Sequence, residues 1–300
     1  VQKSGERYKM PLGEHATFSH LQKQDPDKVE PAEQAGLDLW DRLFERDRKY
    51  GGYTSFFVGA PGTGKTSAML SILDTTISQF PHELNLWAEP ACIPIQFLHS
   101  NAPHQILVSK DYPLHLFRIE DDKPLTLCTD IKIRRFRTPS EAVSMCKTAC
   151  INAVYFPPDK LYRWTRIINK FRYDSAWENV YFDEAESVFP LRASDIQWHK
   201  NEDFSDSFKE TQKARCNIYM NSQQRSDVDW RISGKLNMVC YFRGSKVDKH
   251  APLWQTAVHR LDRGQCYIVF DNADFGSVRF ERYEPADIEY VLKPKQDVRA

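Results

Sequence analysis

The chain has no surplus of either charge: 41 lysines and arginines offset 41 aspartates and glutamates across 300 residues. A polyanionic partner therefore meets no overall positive field and has to be met by a local patch. No apolar run reaches the ~20 residues that a membrane-spanning helix needs, so a soluble protein without a membrane span is expected. The first residues, Val1-Gln2-Lys3-Ser4-Gly5-Glu6-Arg7, lack the apolar stretch and small-residue cleavage site of a secretory signal, and export is not expected. Seven cysteines without a C-x-x-C pair describe buried thiols in a reducing cytoplasm, not a disulfide framework or a zinc site. Cys146 and Cys150 are spaced to share a helix face as part of a core. Internal repeats and low-complexity blocks are missing too.

What is present suits one large α/β core of ~200 residues with appendages, or two domains at most. Three segments are expected: residues 1–50 as an N-terminal arm and amphipathic helix, 51–246 as the core, and 247–300 as a short C-terminal β extension. No period is sustained to about residue 30, after which Leu37, Trp40, Leu43 and Phe44 recur at helical spacing between Pro31 and Lys49, up to Gly51-Gly52. Tyr53 to Val58 reads as a strand, and Met69, Ile72, Leu73, Thr76 and Phe80 as one face of a helix. Short β-like runs follow at 92–98, 105–108 and 125–136. A strand at 153–156 precedes a helical segment at 159–172, and 179–182, 217–220 and 238–242 read as buried strands. Such alternation predicts a mainly parallel sheet flanked by helices. Residues 265–270 and 277–283 predict a terminal hairpin around Asp271-Asn272-Ala273-Asp274, and the tail after Lys293 reads as loose.

The strongest motif is Gly59-Ala60-Pro61-Gly62-Thr63-Gly64-Lys65-Thr66, which matches G-x-x-x-x-G-K-[ST] between a predicted strand and a predicted helix. Its chemistry is a nest of backbone N–H groups aimed at anionic oxygens, reinforced by the positive end of the following helix. Gly59, Pro61, Gly62, Thr63, Gly64, Lys65, Thr66 and Ser67 are the expected contacts of a nucleotide, ATP, with Lys65 on the β/γ-phosphates and Thr66 offering its hydroxyl to Mg2+.

A second element, Val180-Tyr181-Phe182-Asp183-Glu184, is an apolar strand ending in two acids, the Walker B pattern. Asp183 is expected to hold Mg2+, and Glu184 to orient and deprotonate the attacking water. A third, Asn217-Ile218-Tyr219-Met220-Asn221-Ser222-Gln223-Gln224, is a buried strand that turns polar at its end, where a glutamine is suited to sense the terminal phosphate. These elements describe a RecA-like P-loop NTPase core.

Together they resemble the HerA-FtsK superfamily of DNA-pumping ATPases, over about Tyr53 to Lys246. The resemblance rests on Gln212-Lys213-Ala214-Arg215, a strand, then Ser222-Gln223-Gln224-Arg225-Ser226-Asp227-Val228-Asp229, similar to the family's basic helix end, sensor strand and S-Q-R-P-S-x-V-D-like loop. Asp183-Glu184-Ala185-Glu186-Ser187-Val188-Phe189-Pro190 is similar to its extended Walker B. The resemblance implies that Gln223 is the sensor and that Arg215 is an arginine finger acting in trans, against the plainer role of a helix-end cation. The doubled glutamine leaves Gln223 and Gln224 both open, and Arg225, where the family often has proline, is a rival finger ahead of Arg231 and Arg243.

The implied function is packaging of double-stranded viral DNA into a capsid, without base specificity, by a homo-oligomeric ring, hexamer or pentamer, meeting a capsid vertex protein. Its expected place is the host-cell cytoplasm, or the virion. Lys132, Arg134, Arg135 and Arg137 cluster on a β-like run that suits a phosphate backbone or simply a solvated edge strand. Two alternatives remain: an AAA+ ATPase, such as a helicase loader or plasmid DNA-transfer protein, in which Asn221 senses the phosphate; and a slow nucleotide-dependent switch or scaffold, against which Glu184 speaks.

Overall fold

The structure, a computed structural model, describes residues 17–20, 39, 42–46, 52–90, 95–119, 125–171, 176–191, 199, 201–203, 205–206, 215–271, 274–280 and 289–294. In chain order the elements are β1 (Thr17–His20), β2 (Thr54–Val58), α1 (Lys65–Gln79), β3 (Leu84–Ala88), β4 (His104–Ser109), β5 (Leu114–Ile119), β6 (Thr126–Leu127) and β7 (Ile133–Phe136). They continue with α2 (Pro139–Met145), β8 (Ile151–Tyr155), α3 (Arg163–Phe171), β9 (Glu178–Phe182), α4 (Ala185–Val188), β10 (Cys216–Ser222), α5 (Trp230–Ser233) and β11 (Met238–Phe242). The last are α6 (Gln255–His259), β12 (Gln265–Phe270), β13 (Asp274–Arg279) and β14 (Glu289–Pro294).

Eleven strands form one sheet in the order β1-β13-β12-β11-β2-β10-β9-β3-β8-β4-β7. From β11 through β7 every neighbour is parallel, whereas β12, β13 and β1 are added antiparallel beyond β11. The C-terminal hairpin thus extends the main sheet. A separate antiparallel sheet, β14-β5-β6, joins the C-terminal strand to the middle of the chain.

The central strands are buried along their whole length and need cover on both faces, and side chains from alternate positions serve two cores. Phe56, Val58, Val180, Phe182, Ile218 and Met220 face one core with Trp164, Ile167 and Ile168 of α3. Phe57, Tyr181, Tyr219 and Trp87 face the other, against Met69, Ile72 and Leu73 of α1. The β14-β5-β6 sheet contributes Leu114, Leu116 and Leu292 to this second core. Each such fully buried side chain contributes about 1.5–3 kcal/mol.

At the strands' N-terminal edge a belt of asparagines fixes the register. Asn217 Nδ2 donates to Asn179 Oδ1 at 2.9 Å, and Asn179 Nδ2 to Glu83 Oε2 at 2.8 Å. Asn217 and Asn237 accept from the amides of Tyr53 and Thr54. Glu83, fully buried, also receives the Arg46 guanidinium at 2.7 and 3.0 Å.

Several expectations are corrected. Of the run at 92–98, residues 92–94 lie outside the described residues, and Gln96–His99 is a 3-10 turn. The run at 125–136 is two short strands in different sheets. Cys146 caps α2 and Cys150 lies beyond it, so they do not share a helix face. Strands β3, β5 and β14 are additions to the sequence reading. Most of the expected N-terminal arm and helix lies outside the described residues; within it Arg42–Phe44 is a 3-10 turn, with Leu39 and Leu43 buried. Gln212, Lys213, Ala214 and the tip Asn272-Ala273 also lie outside the described residues.

Candidate nucleotide site

Parallel strands bring their C-terminal ends, and the turns that follow, to one rim, where open α/β sheets take their ligands. At that rim β2 runs into Gly59 and α1 begins at Lys65. Gly62 and Gly64 adopt φ of 73° and 107°, left-handed conformations that glycine tolerates best. Gly59 is required for space as well: a Cβ there would lie 2.5 Å from Phe242 Cβ. Two backbone bonds hold the loop from outside, Ala60 N–H to Arg243 O and Gly264 N–H to Thr63 O, both 3.0 Å. Thr63 Oγ1 donates to Ala60 O at 2.7 Å. Lys65 Nζ donates to Gly59 O at 2.8 Å and Ala60 O at 3.1 Å, and burial lowers its pKa while the acids opposite pull it up.

Strand β10 lies between β2 and β9, and its residues Ser222 and Met220 align with Val58 and Phe182 respectively. The two predicted motifs therefore converge across it: Thr66 Oγ1 donates to Asp183 Oδ1 at 3.1 Å. Asn221 sits between them. Its Nδ2 donates to Asp183 Oδ1 and, at 3.4 Å, to Thr66 Oγ1, while its Oδ1 accepts the Glu184 N–H at 2.8 Å. Asp183 is buried, and that burial raises its pKa against the lowering pull of Asn221, Thr66 and Lys65. Glu184 is exposed at φ 58°, ψ 61°; desolvation of its carboxyl and then the Asp183 charge raise its pKa. A non-glycine residue held in this region stores strain, a common trait of functional turns.

A further carboxyl, absent from the sequence reading, lies at the end of β3. Glu89 is 4 % exposed, and burial and then the Asp183 charge hold its pKa well above the usual carboxylate range.

The remaining expected residues are distributed differently. Gln223 is exposed just past β10. Gln224 turns to the loop after β11, its Nε2 donating to Gly244 O at 3.4 Å and its Oε1 accepting from Lys246 N–H at 3.2 Å. Arg225 is bound to Asp248 and Ser233 O of its own chain. Arg231 forks onto Asp229 at 2.9 and 2.6 Å. Arg243 is exposed, its carbonyl against the phosphate loop. Arg215, at φ 55°, precedes β10 and so stands at the sheet edge opposite Lys65. In the basic run, Arg134 donates to Gln105 Oε1 at 3.0 Å and Met145 O at 3.2 Å, and Arg135 to Tyr112 O and Leu114 O. Both arginines therefore serve the edge strand β7.

The donor set fits a magnesium ion better than a protein-built metal cage. Among the described residues no group of three or more His, Cys, Asp or Glu could hold a metal, whereas Mg2+ is usually held by one or two protein oxygens with water and phosphate completing its shell. Asp183 and Thr66 offer that pair of oxygens. Among the described residues no helix is long and apolar enough to cross a membrane.

No protein-family model matches the sequence, and no curated protein matches it. Solved structures do. The genome packaging NTPase B204 of Sulfolobus turreted icosahedral virus 2, in complex with sulfate, is 8 % identical with a TM-score of 0.50, over 76 % of this chain and 96 % of that one. B204 with AMPPCP is 10 % identical with a TM-score of 0.49, over 76 % and 97 %. The cytoplasmic domain of the type VII secretion ATPase EccC of Thermomonospora curvata is 11 % identical with a TM-score of 0.44, over 90 % of this chain and 26 % of that one. The chain therefore has an α/β P-loop fold, a mostly parallel sheet with flanking helices, that it shares with a viral genome packaging NTPase.

Proposed function

We propose that the chain is a Mg2+-dependent ATPase of the HerA-FtsK superfamily that packages double-stranded DNA into a viral capsid as a homo-oligomeric ring. The carrying observation is the meeting of Thr66 and Asp183 at 3.1 Å, across Asn221, on the rim where the glycine loop opens. The loop amides and Lys65 bind the phosphates. The ion, when bound by Thr66 and Asp183, supplies charge neutralisation at the phosphate oxygens. Glu184, exposed next to Asp183 in the chain, takes the proton of the attacking water, and the Asn221 side-chain oxygen holds the Glu184 backbone in place for that task.

Asn221 gives the AAA+ alternative one point in its favour, because it, and not Gln223, is the amide that touches Asp183. Against that alternative, the described part of 247–294 holds strands β12, β13 and β14 and the single five-residue helix α6, in place of a helical lid. In the ring reading Gln223 senses the terminal phosphate from its exposed position. Arg215, on the far edge of the sheet from its own Lys65, acts on a neighbour's nucleotide if it acts as a finger. The tie of Arg225 to Asp248 leaves it the weaker rival.

The test is ATP turnover against protein concentration, with and without duplex DNA, for wild type, Glu184→Gln and Arg215→Ala. Turnover that rises with concentration and DNA, and partial recovery on mixing the two inactive variants, supports a ring motor with shared sites. Turnover that is slow and indifferent to both supports a switch.

A further inference from the structure

Strand register places one row of side chains across three strands on the face covered by α1. Trp87 pairs with Tyr181, and Tyr181 with Tyr219. Their rings are stacked in the same sequence, Trp87 on Tyr181 with centroids 5.9 Å apart and Tyr181 on Tyr219 at 4.7 Å. Alternation along a strand repeats every second residue. The next row toward the rim is therefore Glu89, Asp183 and Asn221, and two of its three members already form the nucleotide site.

Glu89 is built into this row. Its Oε2 accepts the Trp87 Nε1–H at 3.4 Å, which ties it to the aromatic row beneath, and its Oε1 accepts the Gln96 N–H at 3.2 Å. The neighbouring carbonyl, Ala88 O, accepts the Asp183 N–H at 2.8 Å. The same short stretch of chain thus holds Asp183 through its backbone and reaches Gln96 through its carboxyl. From Gln96 the path continues outward: Ile95 N–H donates to Tyr290 O of β14 at 2.9 Å, and Ser100 Oγ donates to Asp74 Oδ1 of α1 at 2.5 Å.

We infer that Glu89 is a positioning residue of the phosphate site, completing the Glu89–Asp183–Asn221 row and linking it through Gln96 to the β14-β5-β6 sheet. The inference rests on the ATPase reading and deepens it. Glu89 acts through its neighbours, with its carboxyl on Trp87 and Gln96. It fixes the end of β3 on which the Asp183 backbone hangs, and with it the direction in which Glu184 leaves the sheet.

Glu89→Gln is the informative variant, since it keeps volume and one acceptor oxygen while losing the second. Glu83→Gln is its control, an equally buried carboxyl at the other end of β3, bound to Arg46 and Asn179 far from the rim. Turnover, KM for ATP, thermal midpoint and hydrogen exchange of residues 182–185 without nucleotide are measured for both. For Glu89→Gln the expected result is a fall in kcat of ~10-fold or more with KM within ~3-fold, a midpoint that is not lowered and faster exchange at 182–185. For Glu83→Gln a lower midpoint with unchanged kcat per folded molecule is expected. Wild-type kcat in Glu89→Gln, or a loss of kcat that merely follows a loss of folded protein, overturns the inference. Absence of ATP hydrolysis in the wild type defeats the ATPase reading instead, and the exchange measurement then still tests whether Glu89 holds the row.

Discussion

The backbone amide of Glu184 donates to the side-chain oxygen of Asn221 at 2.8 Å, so an amide on one strand sets the left-handed turn that presents an acid from the next. The same Asn221 donates from its Nδ2 to Asp183 and Thr66. Replacing it with alanine leaves the Glu184 N–H without that acceptor and Asp183 without that donor. The cost expected for Asn221→Ala is about 1–3 kcal/mol of stability, with turnover down ~10–100-fold. Urea unfolding and steady-state kinetics check it, and a variant with native turnover removes Asn221 from the site.

Gly264 lies 201 residues from Thr63 in sequence yet donates to its carbonyl at 3.0 Å. It sits at φ 80°, and a Cβ there would come within 2.7 Å of Phe280 O. Gly264→Ala is therefore expected to cost about 1–3 kcal/mol and to weaken ATP-analogue binding by ~5–10-fold, as the loop loses its outer support. Calorimetric titration measures the second effect. Unchanged affinity would mean that the loop keeps its shape without this bond.

The nucleotide-free protein should lose stability as pH rises. Glu89 and Asp183 both carry pKa values raised by burial, whereas an unfolded chain titrates them near ~4. Between those values the native state binds more protons, so their contribution is full below ~pH 4 and is lost as pH climbs through the folded values. Asp111 works the other way and lower down. Burial raises its pKa, but bonds from Lys160 and Ser109 outweigh this and hold it at about 2, so its contribution is lost only in stronger acid. A thermal midpoint that falls as pH rises above ~4, with a shallower slope in Glu89→Gln, is expected. A midpoint that climbs over this range contradicts the assignment.

Arg46 and Glu83 offer a contrast far from the rim. The guanidinium grips the carboxylate at 2.7 and 3.0 Å and lies 4.1 Å from the Phe80 ring centroid. Arg46→Ala leaves a buried acid without that counter-charge and should cost about 3–5 kcal/mol, visible as a lower urea midpoint. Turnover per folded molecule should stay at the wild-type value.

Much of this was legible from residues alone, for identifiable reasons. Strands β2, β9, β10 and β11 each carry at least three consecutive apolar residues, and the loop from Gly59 to Thr66 matches a phosphate-binding spacing between a strand and a helix. Strand β3, Leu84-Asn85-Leu86-Trp87-Ala88, escaped notice because its apolar stretch is only three residues long, Leu86 to Ala88, and ends at Glu89 and Pro90; the Asn85 backbone carbonyl accepts from Asn152 Nδ2 at 2.9 Å. With β3 unread, Glu89 had no rim to belong to. The choice between Asn221 and the two glutamines depends on where β10 ends, and boundaries are what pattern reading resolves least well. β10 runs to Ser222, which leaves Asn221 inside the strand and Gln223 beyond it.

The bond from Ile95 to Tyr290 gives the chain a calendar as well as a shape. β14 is made after the other described strands, yet its partner β5 and the turn beside Glu89 were made well over a hundred residues earlier. During synthesis that turn has to wait, with Leu114 and Leu116 uncovered by Leu292, until the ribosome has released residue 294. Pairings this distant in sequence form slowly, so a nascent chain stalled before β14 should sit longest on chaperones.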